Sequence, residues 1–315
     1  MSNKQTRNRI LIYLAVTFGL TWAYCLLLVY PMANGQSLSG VPAVALQLLV
    51  AACMFFPAIG VLLTRLITKE KFTESWLRPH LKGNIKTYLL AWFGPGALTF
   101  LGMVVYFVIF PNKLDLTFSY FYQVLESAGA PMEELPIPLE LLMAVQCVQA
   151  FLLAPALNFV TCFGEEWGWR GYLLPKMNKL LPTVPTLLIT GVIWGLWHAP
   201  LTIIGHNYGM DYPGYPFAGI AMMCLFCMTL GIFMSYVTLK TGSCIPAILA
   251  HGAVNGIAAI GIYFTVDGGN PFIGPAPTGI VGMIPFLVIA VFMLISLKRK
   301  KAPLVRGAVK NLFDF

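Results

Sequence analysis

The chain has 315 residues, 58% of them hydrophobic and only 10% charged, with a formal net charge of +8 at pH 7. Charge this sparse excludes a water-soluble globular protein and places the chain among polytopic membrane proteins. The positive balance points to a basic face against anionic lipid headgroups rather than to nucleic acid, and seven cysteines scattered mostly through apolar sequence offer no disulfide framework.

Eight stretches are apolar enough to cross a bilayer at about 20 residues each. They lie at roughly 10–30, 43–66, 86–110, 141–163, 183–204, 217–239, 244–264 and 277–297. The expected fold is therefore all-α, a membrane helical bundle of about eight transmembrane helices, with no soluble domain and no internal repeat. The first stretch follows Lys4, Arg7 and Arg9, but its apolar run outlasts that of a cleaved signal peptide, so it is read as a membrane helix.

Basic residues punctuate the connections. Arg65, Lys69, Lys71, Arg78, Lys82 and Lys86 follow the second stretch, Arg170, Lys176 and Lys179 the fourth, and Lys240 the sixth. Lys298, Arg299, Lys300, Lys301, Arg306 and Lys310 form a basic tail. With eight spans the two termini share a side, and every Lys and Arg except Lys113 falls on it, which the positive-inside rule makes cytoplasmic. The expected location is the plasma membrane, multi-pass, with both termini cytoplasmic. The longest outer connection, about 111–140, holds Pro111, Pro131, Pro136 and Pro138 with Glu126, Glu133 and Glu134; a short interfacial helix and a turn are expected there.

Ionisable groups inside apolar sequence are costly unless a partner or a hydrated cavity receives them, so they mark a site. Three such clusters occur. In Phe163-Gly164-Glu165-Glu166-Trp167-Gly168-Trp169-Arg170, Glu166 and Arg170 are i,i+4 neighbours and are expected to pair. Glu165 points about 100° away, toward Trp169 one turn on, and is left free to act as a general base. His198 shares one helix face with Gly191, Trp194 and Gly195, and the small-x-x-x-small spacing turns that face into a helix interface rather than lipid. His251 and Asn255 are i,i+4 and each is followed by a glycine, Gly252 and Gly256, so imidazole and carboxamide project together as interhelical hydrogen-bonding groups or as an oxyanion clamp. Cys224 and Cys227, although spaced as C-x-x-C, lie among Met and Phe and are read as small apolar filler.

Together, Glu165-Glu166-x-x-x-Arg170, Trp194-x-x-x-His198 and His251-x-x-x-Asn255 resemble the three signatures of the CPBP family (CAAX protease and bacteriocin-processing), relatives of the type II CAAX prenyl endopeptidase and of bacteriocin self-immunity proteins. The resemblance covers roughly residues 140–265. It implies an intramembrane endopeptidase in which Glu165 and His198 activate water, His251 and Asn255 steady the oxyanion, and Glu166, Arg170 and Trp194 support them. Trp194 stands where phenylalanine is common in the family. On this reading residues 1–140 supply three transmembrane helices and the outer loop, 141–265 the catalytic core, and 266–315 the last helix and the basic tail.

Glu165, His198 and His251 would form a set suited to zinc with one position for water, but no H-E-x-x-H is present and no obligatory metal is expected. The expected partners are a peptide or membrane-protein substrate and the lipid bilayer, without nucleic acid. Two other functions use the same residues differently: a proton-coupled transporter relaying protons through Glu165 and His198, and a non-catalytic bacteriocin self-immunity protein.

Overall fold

A computed structural model describes residues 2–33, 43–130, 135 and 137–299 of the chain. The all-α membrane bundle is observed, and among the described residues the only extended pairings are two isolated bridges, Leu114 with Thr265 and Asn270 with Gly274. Among the described residues, five helices are long and apolar enough to span a membrane: α1 (Asn3–Ala33), α2 (Ala45–Ile67), α3 (Ile85–Ile109), and, later in the chain, Phe217–Thr241 and Ile245–Tyr263. A short helix α4 (Ser119–Ser127) occupies the outer connection, where one was expected. Pro131, Glu133, Glu134 and Pro136 of that connection, and Lys300, Lys301, Arg306 and Lys310 of the tail, lie outside the described residues.

The other three apolar stretches form shorter helices, so the expectation of eight full spans is met by five of spanning length. The fourth stretch is broken. Helix α5 (Leu139–Leu152) stops before Pro155, whose ring cannot continue the ladder, and a new helix α6 (Phe159–Gly168) starts after Asn158. The Nδ2 of Asn158 donates to the carbonyls of Ala154 and Gly252 at 3.1 and 3.2 Å, tying the break to the later helix that carries Gly252. Helix α6 then runs without a loop into a π-helical turn, Trp169–Leu173, and α7 (Leu174–Leu180). Between Glu165 and Lys176 the chain is therefore helical with a widened turn in its middle.

The fifth stretch ends early too. Helix α8 (Thr183–Trp197) closes at His198, two residues before Pro200. Helices α9 (Phe217–Thr241) and α10 (Ile245–Ile257) follow, and α11 (Ile284–Arg299) completes the described chain. Gly191 and Gly195 let α8 and α9 touch backbone to backbone, because a Cβ on either would overlap the main chain of Met228 or Cys224. This is the close approach that the glycine spacing predicted.

The basic connections gather at one end of the bundle. There Glu70 accepts from Lys176 Nζ at 2.6 Å and from Tyr172 Oη at 2.8 Å, with Arg9 at 3.5 Å and Arg65 at 4.0 Å. Lys179 reaches Glu74 at 2.7 Å, and His80 Nδ1 lies 3.0 Å from the carbonyl of Thr241, beside Lys240. Lys113, the one basic residue assigned to the opposite side, pairs instead with Asp267, where Asp115 N also donates to the carbonyl of Phe264 at 2.8 Å. All seven cysteines are free; Cys25 on α1 and Cys53 on α2 stand 3.5 Å apart at sulfur.

Candidate active site

Glu165 and Glu166 sit in the last turns of α6, and both are sealed from solvent, at 1% and 0% exposure. Carboxylates this deep need donors close by. Glu166 Oε1 accepts from Arg170 Nη1 at 2.9 Å, the expected i,i+4 pair, and from His251 Nδ1 at 2.9 Å. The second donor comes from α10, a partnership that no spacing within the sequence announces. Arg170 leaves α6 on the π-helical turn, and its guanidinium lies 4.2 Å from the centre of the Trp194 ring, on the α8 side, with Gly231 of α9 giving it room.

Glu165 has a different donor. Its Oε1 accepts the indole N–H of Trp194. The ring contacts of Trp169, to which the sequence pointed Glu165, are edge-on to Tyr13 and Trp197. Trp194 thus stands at the centre of the cluster, bonded to Glu165, stacked under Arg170, and 5.6 and 5.5 Å by ring centroid from His198 and His251.

His198 owes its orientation to the end of α8. The helix tightens there, so that the backbone N–H of His198 donates to Gly195 and frees the carbonyl of Trp194. The imidazole caps that oxygen, with Nδ1 at 2.8 Å. A carbonyl only accepts, so Nδ1 carries the proton and Nε2 of the neutral ring keeps its lone pair. Cys227, one of the filler cysteines, lies 3.7 Å from the same Nδ1.

Helix α10 faces α6 in antiparallel register, His251 opposite Glu166 and Asn255 opposite Cys162, where Asn255 Nδ2 lies 3.7 Å from Sγ. Both side chains turn toward α6, as their i,i+4 spacing requires. They differ in setting: His251 is buried and Asn255 exposed. The structure therefore brings Glu165, Glu166, Arg170, Trp194 and His251 into one cluster, Glu166 bonded to Arg170 and His251 and Glu165 to Trp194, whose ring joins the two sets, with His198 across the indole and Asn255 one helical turn along.

Ligand atoms of Glu165, Glu166 and His251 lie within 4.8 Å of one another. The zinc set read from the sequence contained His198 in place of Glu166. In the trio that gathers, Nδ1 of His251 is a donor to Glu166, Oε1 of Glu166 is shared with Arg170, and Oε1 of Glu165 takes the Trp194 N–H, while Nε2 of His251 and the second oxygen of each carboxylate are not used by these bonds, so the trio is a donor set of the kind that could hold a metal ion.

Sequence reasoning missed the contribution of α1. Its buried residues Thr6, Ile10, Tyr13, Thr17 and Thr21 recur every three or four positions and face the bundle; Thr21 Oγ1, for one, accepts the N–H of Trp197 at 2.8 Å. Polar residues at helical spacing within a lipid-spanning helix were the available signal.

No curated protein matches the chain. Residues 147–257 match the family model described as type II CAAX prenyl endopeptidase Rce1-like, and this interval holds Glu165, Glu166, Arg170, Trp194, His198, His251 and Asn255. The part of this integral membrane protein that carries the buried cluster is therefore similar to the type II CAAX prenyl endopeptidase Rce1-like family.

Proposed function

We propose that the protein is an intramembrane endopeptidase that hydrolyses a peptide bond with water activated by Glu165 and His198. The observation that carries this reading is the bonding of Glu165. Its neighbour Glu166 is neutralised by Arg170 and His251, whereas Glu165 receives a single indole N–H and keeps the capacity to take a proton.

In this mechanism Glu165 removes a proton from water while Nε2 of His198, its lone pair available, orients the same molecule. Hydroxide adds to the peptide carbonyl carbon, and the oxyanion is met by the Asn255 amide and by Nε2 of His251 when that ring carries both protons. The C–N bond then breaks as Glu165 returns its proton to the leaving amine. Glu166 and Arg170 hold His251 through its Nδ1. The substrate is a peptide or membrane protein, and the end of the bundle where the basic connections meet is proposed to face the cytoplasm.

Glu165→Gln keeps the shape of the side chain and removes the base. The full-length protein in lipid vesicles is expected to release peptides from membrane substrates, and the variant to release none. Turnover by Glu165→Gln at the wild-type rate would overturn the mechanism.

A further inference from the structure

Behind the two carboxylates, on the side of α1, four side-chain polar atoms are enclosed without a hydrogen-bond partner in the protein. They are Oη of Tyr13, Oγ1 of Thr17, Nε1 of Trp169 and Oε2 of Glu166. Buried polar groups are almost always bonded, so four together need a common explanation. They are neighbours. The Tyr13 ring lies 5.8 Å from that of Trp169, Thr17 follows one turn along α1, and the Tyr13 hydroxyl is within electrostatic reach of Glu165 and Glu166.

The packing that creates this niche is specific. A Cβ on Gly168 would stand 2.5 Å from the Tyr13 hydroxyl, so glycine there lets the phenol rest on the helix that bears Glu165, three residues earlier on the same face. Thr17, one turn along α1, presses its hydroxyl against Gly60 of α2 in the same way. Tyr13 and Thr17 are both at 0% exposure, and both lie outside the segment matched by the family model. Two hydroxyls, an indole N–H and a carboxylate oxygen offer donors and acceptors in the number that one or two buried waters require.

We infer that Tyr13 is a positioning residue of the active site: with Thr17 and Trp169 it binds buried water against Glu166 Oε2 and thereby fixes the carboxylate that holds His251 and Arg170 beside Glu165. Helix α1 then completes the site rather than merely packing beside it. Water satisfies the niche because its one molecule both donates to Glu166 Oε2 and accepts from Trp169, which no hydroxyl fixed to the chain does here.

The kinetic consequence rests on the hydrolytic reading, while the binding of water does not, and the test separates the two. Full-length wild type, Glu165→Gln and Tyr13→Phe are compared in lipid nanodiscs by peptide cleavage and by maps that resolve water. Tyr13→Phe is expected to lower kcat about tenfold with KM changed less than about twofold and the unfolding temperature unaltered. Wild type should show solvent density joining Tyr13 Oη to Trp169 Nε1, and the variant should lack it. Wild-type kcat in Tyr13→Phe, or the absence of that density in wild type, overturns the inference. If wild type cleaves nothing, the hydrolytic reading fails and the density alone decides the inference. Should Tyr13→Phe fail to fold, Thr17→Val is measured with the same expectations.

Discussion

His251 Nδ1 lies 2.9 Å from Glu166 Oε1, the oxygen that also accepts from Arg170, so a single carboxylate atom ties α10 to the π-helical turn after α6. Widened turns of this kind often occur at functional sites, and this one sets Arg170 between Glu166 and the face of Trp194. One oxygen thus organises three elements.

Removing that charge should be severe. Glu166→Gln leaves the buried guanidinium of Arg170 without its counter-charge, and breaking a buried pair in this way costs about 3–5 kcal/mol. A large drop in unfolding temperature is expected in detergent or bilayer, together with loss of cleavage. A variant as stable as wild type would mean that Arg170 finds another anion.

Among the described residues, the indole N–H of Trp194 is the only donor to Glu165 Oε1. Trp194→Phe preserves a ring for Arg170 to lie against and deletes the donor. Stability should fall by about 1 kcal/mol, the worth of one ordinary hydrogen bond with a weaker ring contact, whereas kcat should fall by about 100-fold as Glu165 loses its orientation. Steady-state cleavage beside a thermal melt distinguishes the two effects.

Close helix approach makes a third prediction. Gly195→Ala places a methyl in the backbone of Cys224 and forces α8 away from α9, which overpacking of this kind makes about 1–3 kcal/mol less stable. Leu196→Ala, on the outward face of the same helix, should change the unfolding temperature far less.

The ion cluster at the basic end supplies a pH dependence. Burial opposes the charge on Glu70, but the bond and charge of Lys176, the hydroxyl of Tyr172 and the charge of Arg65 outweigh it and hold the carboxyl below its ordinary value. Lys176 is itself lowered, by burial above all, against the pull of Glu70 and with Arg65 and Lys179 adding to the lowering. Because the native value of Glu70 is depressed, its stabilisation is complete above the unfolded value of about 4.3 and is lost as pH falls through the native one. Melting curves of wild type should therefore drop as pH falls below the unfolded value of about 4.3, and Glu70→Gln should flatten that drop.

Metal removal gives the last test. Because the proposed mechanism activates water with Glu165 and His198 and routes no step through a metal, treatment with a zinc chelator is expected to leave peptide cleavage unchanged. Loss of cleavage that added zinc restores would show that the cluster opens to bind the ion.

Much of the molecule follows from local rules. Apolar length determined the helices, and basic residues determined which connections share an end, since lipid admits only paired backbone and excludes charge. Helical periodicity determined the Glu166–Arg170 pair and the glycine face of α8, because both lie within one or two turns. What only the tertiary structure decided is who meets whom across helices. Trp194 reaching Glu165, His251 reaching Glu166, and Tyr13 and Thr17 reaching the back of the site are contacts between residues far apart in the chain, and their geometry depends on two breaks, at Pro155 and at His198, and on one widened turn. A period of 3.6 residues fixes which way a side chain points from its own helix; the neighbour it finds there is set by how the helices pack.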